Sequence, residues 1–368
     1  MLAKIASAVP FGADGTAVTV EVHASTGLPG FTIVGLPDAS CRESRDRVRA
    51  AILSSGFRWP QLHVTVNLAP SSLRKGGAGL DLPIALGLLV ASGQLPGSAT
   101  ADRGFIGELG LDGALRPVAG IAPMAAVMGQ QSIVVPPGCL AEAVALRPGH
   151  VDSAASLAEL VACLQEEQRW PEIPRAAASG GPRRQGADGG GAGEAPPYGF
   201  PDLCDVRGQA LGRRAIELAA AGGHHLLMVG PPGSGKTMLA QRLPGLLPLL
   251  DPDRAIEVSK VFSAAGMAGD RGARPLVPPF RAPHHGASPV ALVGGGTAWM
   301  RPGELSLAHG GVLFLDEMGE FPVSVLEALR QPLEERVVHV SRARQSVIFP
   351  ADVLLVAAMN PCPCGSAG

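Results

Sequence analysis

An excess of charge of either sign is missing from this sequence: 30 Lys and Arg stand against 32 Asp and Glu, a formal net charge of -2. That balance excludes a chain-wide basic surface, the usual footprint of non-specific nucleic-acid binding, so any DNA contact has to be local. Cysteine is sparse, with six residues at positions 41, 139, 163, 204, 362 and 364. Such scatter excludes the dense disulfide framework of a secreted mini-protein and fits a reducing cytoplasm. The opening MLAKIASAVPFGADG meets Pro10, Gly12 and Asp14 too soon to hold the apolar core of a signal peptide. No run reaches the length of a membrane-spanning helix. Tyrosine occurs once, beside 49 Gly and 34 Pro, a composition that marks many turns or a GC-rich genome and excludes no function.

What is present is 46% hydrophobic residues over 368 positions, enough to bury a sizeable core in two or three domains. Between them, AAASGGPRRQGADGGGAGEAPP (176–197) carries no large apolar side chain. It cannot offset the entropy of ordering itself and is expected to be a flexible linker. The boundaries that follow are 1–171 for a first domain, 172–198 for the linker and 199–368 for a second.

In the first part, residues 17–22, 31–34 and 62–68 read as half-buried strands from their period-two alternation and β-rich composition. Asp38 or Ser40 caps a helix with Val48, Ala51 and Ile52 on one face and Gly56 at its close. Further helices are expected over 82–92, 121–128 and, behind an Asp152 cap, 154–164. This is an α+β pattern. In the second part, short apolar strands over 225–229, 311–315 and 353–358 alternate with helical stretches over 238–247 and 323–329, which argues an α/β fold with a parallel sheet buried on both faces.

Gly230-Pro231-Pro232-Gly233-Ser234-Gly235-Lys236-Thr237 fits G-x-x-x-x-G-K-[ST] between an apolar strand and a helix. Glycines are needed because the backbone must turn its N–H groups inward around phosphate oxygens. Lys236 is then expected on the β and γ phosphates of ATP and the Thr237 hydroxyl on Mg²⁺. Asp316 and Glu317 close the strand 312–315: Asp316 as a Mg²⁺ ligand, Glu317 as general base for the attacking water. Asn360, at the end of the next strand, is placed to orient that water.

Taken in order, Asp205 to Gln209, the phosphate loop, Phe280 to His285, Pro302 to His309, Asp316-Glu317 and Met359 to Gly365 resemble the ComM/YifB family of magnesium-chelatase-like AAA+ proteins. The resemblance implies a P-loop AAA+ core, a homo-oligomeric ring such as a hexamer with ATP between subunits, and DNA branch migration during natural transformation. In the first part, residues 107–113 and 116–121 resemble a Lon-protease-like (ribosomal S5-like) domain. Gly79 falls near the protease's nucleophile position and Ala122 where its lysine belongs, so peptide hydrolysis by a Ser-Lys dyad is not expected. The helical lid, arginine finger and second sensor that the resemblance implies would follow Gly368, so this chain alone is expected to turn ATP over slowly.

Weaker features complete the reading. Residues 337–340 and 346–349 flank Ser341-Arg342-Ala343-Arg344-Gln345 as a hairpin, and Arg342 and Arg344 at its tip are either DNA-phosphate contacts or solvated charges. His284-His285 reads as an insert that shapes the ring rather than a metal pair, having too few ligands nearby. Cys362 and Cys364 supply two of the four ligands that structural Zn²⁺ needs. The other cysteines are expected to be small core residues. Three functions stay open: a DNA motor, a protein-remodelling ATPase, and a nucleotide-binding regulator without turnover.

Overall fold

A computed structural model describes residues 1–71, 75, 77–173, 200–267, 276–296, 300–342 and 345–361. The chain divides into two compact units, Met1–Gly181 with Ser263–Arg274, and Pro182–Phe262 with Pro275–Gly368. Residues 174–198 of the expected linker lie outside the described residues, as do Arg344, Cys362 and Cys364. Among the described residues, no helix is long and apolar enough to cross a membrane.

In the first unit the strands are β1 (Leu2–Phe11), β2 (Asp14–Ser25), β3 (Gly30–Val34), β4 (His63–Ala69), β5 (Arg103–Phe105), the small pair β6 (Glu108–Leu109) and β7 (Leu115–Arg116), β8 (Ser132–Val135) and β9 (Val151–Ser153). One mixed sheet runs β3-β4-β2-β1-β5-β8-β9. Alternation in the sequence decides which way each strand faces: Val18, Val20 and Val22 of β2, like Val64, Val66 and Leu68 of β4, are buried. Against them pack α1 (Ala39–Ser54) and α2 (Asp81–Ala91). Gly87 is what lets α2 lie close, since a Cβ there would come within 2.5 Å of Val22 Cγ2. A second cluster gathers α3 (Ile121–Val127), α4 (Leu140–Leu146) and the β8 and β9 region.

Asp38 is the N-cap of α1, its carboxylate accepting from the Cys41 N–H at 2.8 Å, and Val48, Ala51 and Ile52 are buried along that helix. The last helix of the unit, α5 (Leu157–Leu164), differs from the sequence expectation. Its cap is Ser156, whose side chain accepts from Glu159 N–H, while Asp152 sits inside β9. A β-strand and a cap compete for the same polar run there, and pairing with β8 takes Asp152.

The second unit begins with α6 (Ala210–Gly222), β10 (Leu226–Val229), α7 (Lys236–Ala240) and α8 (Pro252–Ala265). It continues through β11 (Phe280–Arg281), α9 (Pro289–Val293), the pair β12 (Gly294–Gly295) and β13 (Arg301–Pro302), α10 (Glu304–Leu307) and β14 (Val312–Leu315). It closes with α11 (Val323–Glu335), the hairpin β15 (Val337–Arg342) and β16 (Gln345–Pro350), and β17 (Leu354–Met359). The sheet order is β10-β17-β14-β11, with every pair parallel. That is an AAA+-like α/β arrangement.

Two expectations are corrected in this unit. The helix after the phosphate loop ends at Ala240 and gives way to a 3₁₀ turn over Leu243–Leu246, because Pro244 cannot continue an α-helix. The sheet is not covered evenly: β14 is buried throughout, but β10 alternates, with Leu227 and Val229 exposed at 53% and 59%. Cys41, Cys139 and Cys163 are buried thiols as expected, whereas Cys204 is exposed. Burial pushes the Cys41 thiol up to about 12 and the Cys139 thiol up to about 11, so neither is a nucleophile at neutral pH.

Candidate active site

Register in the parallel sheet brings three carboxyl ends together. Val229 pairs with Met359 and Leu315 with Ala357, so β17 lies between β10 and β14 and all three finish at one rim. The next residues are Gly230, Asn360 and Asp316.

The loop from Gly230 to Gly235 turns through two left-handed glycines, Gly233 (φ 77°) and Gly235 (φ 84°), and Lys236 begins α7 directly. Side chains at these φ values would be strained, which is why the motif demands glycine. Lys236 Nζ donates to Gly230 O at 2.7 Å, Pro231 O at 3.0 Å and Asn360 Oδ1 at 3.1 Å, and lies 3.5 Å from Ser234 Oγ. Thr237 Oγ1 donates to Asp316 Oδ2 at 2.7 Å. Two hard oxygen donors so close together suit a small divalent cation such as Mg²⁺. The structure therefore gathers Lys236, Thr237, Asp316 and Asn360 in one place.

Glu317 follows with a left-handed backbone (φ 51°, ψ 49°), its N–H donating to Asp316 Oδ1 at 3.0 Å. Its carboxylate Oε2 lies 3.5 Å from His285 Nδ1. Two further residues support the site and escaped the sequence reading in these roles. Gln209 Nε2 donates to Ser234 O at 3.0 Å and braces the loop from the turn before α6. Arg281 at the end of β11 grips Glu304 of α10 through two bonds of 2.6 and 2.7 Å. Both lie in motifs noted as sequence, but spacing alone says nothing about which partners they meet. Arg342 ends β15 of the expected hairpin. Among the described residues, no group of three or more His, Cys, Asp and Glu gathers as a metal site, His284 and His285 included.

At the opposite ends of these strands, a second polar group ties the sheet together. Asp352, two residues before β17, pairs with Arg254 of α8 and Arg336 at the root of the hairpin. Burial alone would raise its carboxyl, but the two guanidinium groups and His309 hold it below the ordinary value. His309, nearly fully buried, accepts the Asp352 N–H at Nδ1 (3.2 Å), so its proton sits on Nε2, 3.0 Å from Glu257 Oε2. Burial depresses its affinity for a second proton below the usual 6.5, against the pull of Glu257.

A pH dependence follows. The folded value lies below the unfolded one, so the stabilisation is complete above 6.5 and is lost as pH falls through the folded value. The thermal midpoint is expected to drop more steeply from about pH 7 to about pH 5 in the parent than in His309→Gln, whose neutral amide can serve both bonds. Equal slopes in the two proteins would remove His309 as the cause.

A parallel sheet that ends in a lysine-bearing glycine loop, an Asp-Glu pair and an asparagine defines a P-loop ATPase core of the AAA+ kind. Family models described as "Magnesium chelatase, subunit ChlI" and "Subunit ChlI of Mg-chelatase" match residues 202–368 and 20–138. Over 366 residues the chain is 44% identical to YifB of Salmonella typhimurium, spanning 99% of this chain and 69% of that protein. It is 43% identical over 367 residues to competence protein ComM of Haemophilus influenzae, again with 99% and 69% coverage. A shorter match, 30% identity over 152 residues, is to Lon protease 2 of Bacillus subtilis and covers 39% of this chain and 27% of that one. The chain belongs to the ComM/YifB family of magnesium-chelatase-like AAA+ ATPases, and with the family come ATP and Mg²⁺ as its ligands.

Proposed function

We propose that this chain is an ATP-dependent DNA motor that drives branch migration in the manner of ComM, working as a homo-oligomeric ring, such as a hexamer, in the cytoplasm. The observation that carries the ATPase part is the convergence of Lys236, Asn360, Thr237 and Asp316 within hydrogen-bond distance at one rim of the sheet. The DNA part is supported by near full-length similarity to a protein named for competence.

In this reading the backbone from Gly230 to Gly235 and the Lys236 ammonium hold the triphosphate, and Thr237 and Asp316 hold Mg²⁺. Bound there, Mg²⁺ neutralises charge developing on the phosphoryl oxygens. Lys236 exchanges its carbonyl partners for phosphate oxygens. Glu317 takes a proton from the attacking water, and Asn360, already within reach of Lys236, orients that water. Arg342 and Arg344 meet DNA phosphates as the hairpin moves with the nucleotide. The first 171 residues form a Lon-protease-like domain in which Gly79 and Ala122 replace nucleophile and base, a reading that rests on the resemblance of residues 107–113 and 116–121. The shorter similarity to a protein named as a protease favours the second reading, in which that domain engages polypeptide and the ring remodels proteins.

Phosphate release measured with and without single-stranded and branched DNA tests the proposal. DNA should stimulate turnover, and Arg342→Ala with Arg344→Ala should flatten the salt dependence of DNA affinity by about 0.7 log units per lost phosphate contact on a single strand. Stimulation by unfolded polypeptide instead, with no response to DNA, would shift the assignment to remodelling.

A further inference from the structure

The polar cluster around Asp352 borders a cleft of about 300 Å³ at the rim opposite the phosphate loop, the lower end of the size range of small-ligand sites. Its apolar wall is built from both sides. Leu249 and Leu250 lie on the stretch that leads into α8, and Val353 and Leu354 stand at the entry to β17. Gly310, in the turn before β14, keeps the space between them open. Its backbone is left-handed (φ 74°), and a Cβ there would come within 3.1 Å of Leu250 Cδ2 and 3.5 Å of Arg254 Cγ.

Three charged side chains line the cleft, Asp251, Arg254 and Asp352, so one negative charge is in excess. Both carboxylates hold Arg254, but at its two ends. Asp251 Oδ1 accepts the Arg254 main-chain N–H at 2.9 Å, and Asp352 Oδ2 accepts from its Nη2. The second oxygen of each stays open. Asp251 Oδ2 accepts no hydrogen bond among the described residues, and Asp352 Oδ1 has the Arg336 Nε at 3.7 Å, beyond hydrogen-bond reach. Two carboxylates with open acceptors, set apart along an apolar wall, suit a ligand with a cation at each end and methylenes between. Arg254 measures the gap. A four- or five-carbon diamine has about the reach of an arginine from main-chain nitrogen to guanidinium, so it can lie alongside with an ammonium on each carboxylate.

We propose that this cleft binds an aliphatic diamine, free or as the end of a longer polyamine, with its ammonium groups on Asp251 and Asp352 and its methylenes against Leu249, Leu250 and Leu354. The site lies on the rim away from Lys236, and its assignment depends on neither the ATPase nor the DNA reading.

The test is a titration of the nucleotide-free chain with putrescine, followed by saturation-transfer NMR of the methylene signals at an ionic strength held constant with KCl. The comparison is n-butylamine, which has the same stem and one ammonium. Putrescine should bind with a Kd about two- to fivefold lower, the range that one part-exposed charge pair supports. Asp251→Asn removes a charge yet keeps a good helix cap, so its thermal midpoint should stay near the parent's while putrescine loses its advantage over the monoamine. Leu249, 48% exposed, tolerates change, and Leu249→Ser should weaken both amines alike. Equal affinities of the two amines in the parent overturn the proposal whatever the variants do. So does an unchanged putrescine Kd in Asp251→Asn, which would place the amine elsewhere on the surface.

Discussion

With Glu317 changed to Gln, ATP should still bind and its hydrolysis should slow by about two to four powers of ten, the usual contribution of a positioned general base. Gln has the same length and shape, so the loop that holds Lys236 and the 2.7 Å bond between Thr237 and Asp316 are left in place. The amide cannot accept a proton from water near neutral pH, which isolates the chemical role from phosphate binding. A fluorescent ATP analogue reads binding and phosphate release reads turnover. A drop of less than about tenfold would mean that the water loses its proton elsewhere, since it falls short of the range for a base.

Asp81→Ala should be the most damaging change to the first unit. The Asp81 side chain is fully buried and accepts from Ser44 Oγ at 2.5 Å and from Arg47 Nε at 2.7 Å and Nη2 at 3.1 Å. Its other oxygen contact is the Leu109 N–H at 3.5 Å. Removing one partner of a buried pair usually costs about 3–5 kcal/mol, because the remaining charge keeps its desolvation penalty. Arg47 retains 20% side-chain exposure, which places the cost at about 3 kcal/mol, the lower end. For a unit of this size that is a fall of about 6–12 °C in the thermal midpoint. Asp81→Asn, which keeps an accepting oxygen, should lose distinctly less. A shift of only about 1–2 °C in the Ala variant would show that water or a rearranged Arg47 replaces the carboxylate.

The phosphate loop, the acidic strand end and the asparagine were legible in the sequence because each is fixed by local chemistry. Glycine is required where φ is positive at Gly233 and Gly235, and a short apolar run such as 312–315 has one use in this pattern. The first-unit strands β2 and β4 were legible for the same reason, since period two maps directly onto burial. Pairings made across long sequence distances were not. Nothing in the spacing between His285 and Glu317, or between Arg254 and Asp352, says that those side chains meet. The strand β1, the helices α6 and α8 and the bare face of β10 depend on tertiary neighbours that a window of residues does not contain. The expected linker and the tip of the hairpin rest on composition alone.

Glu317 shows where fold and chemistry make opposite demands on one position. A left-handed backbone there costs a side-chain-bearing residue about 1–2 kcal/mol, which glycine would not incur and asparagine would partly escape. Selection for thermal robustness alone would therefore drift toward Gly at 317 and discard the carboxylate. Stabilised variants of this ATPase chosen only for their melting point are the ones whose position 317 should be checked first, since the easiest gain in robustness there is also the end of the base.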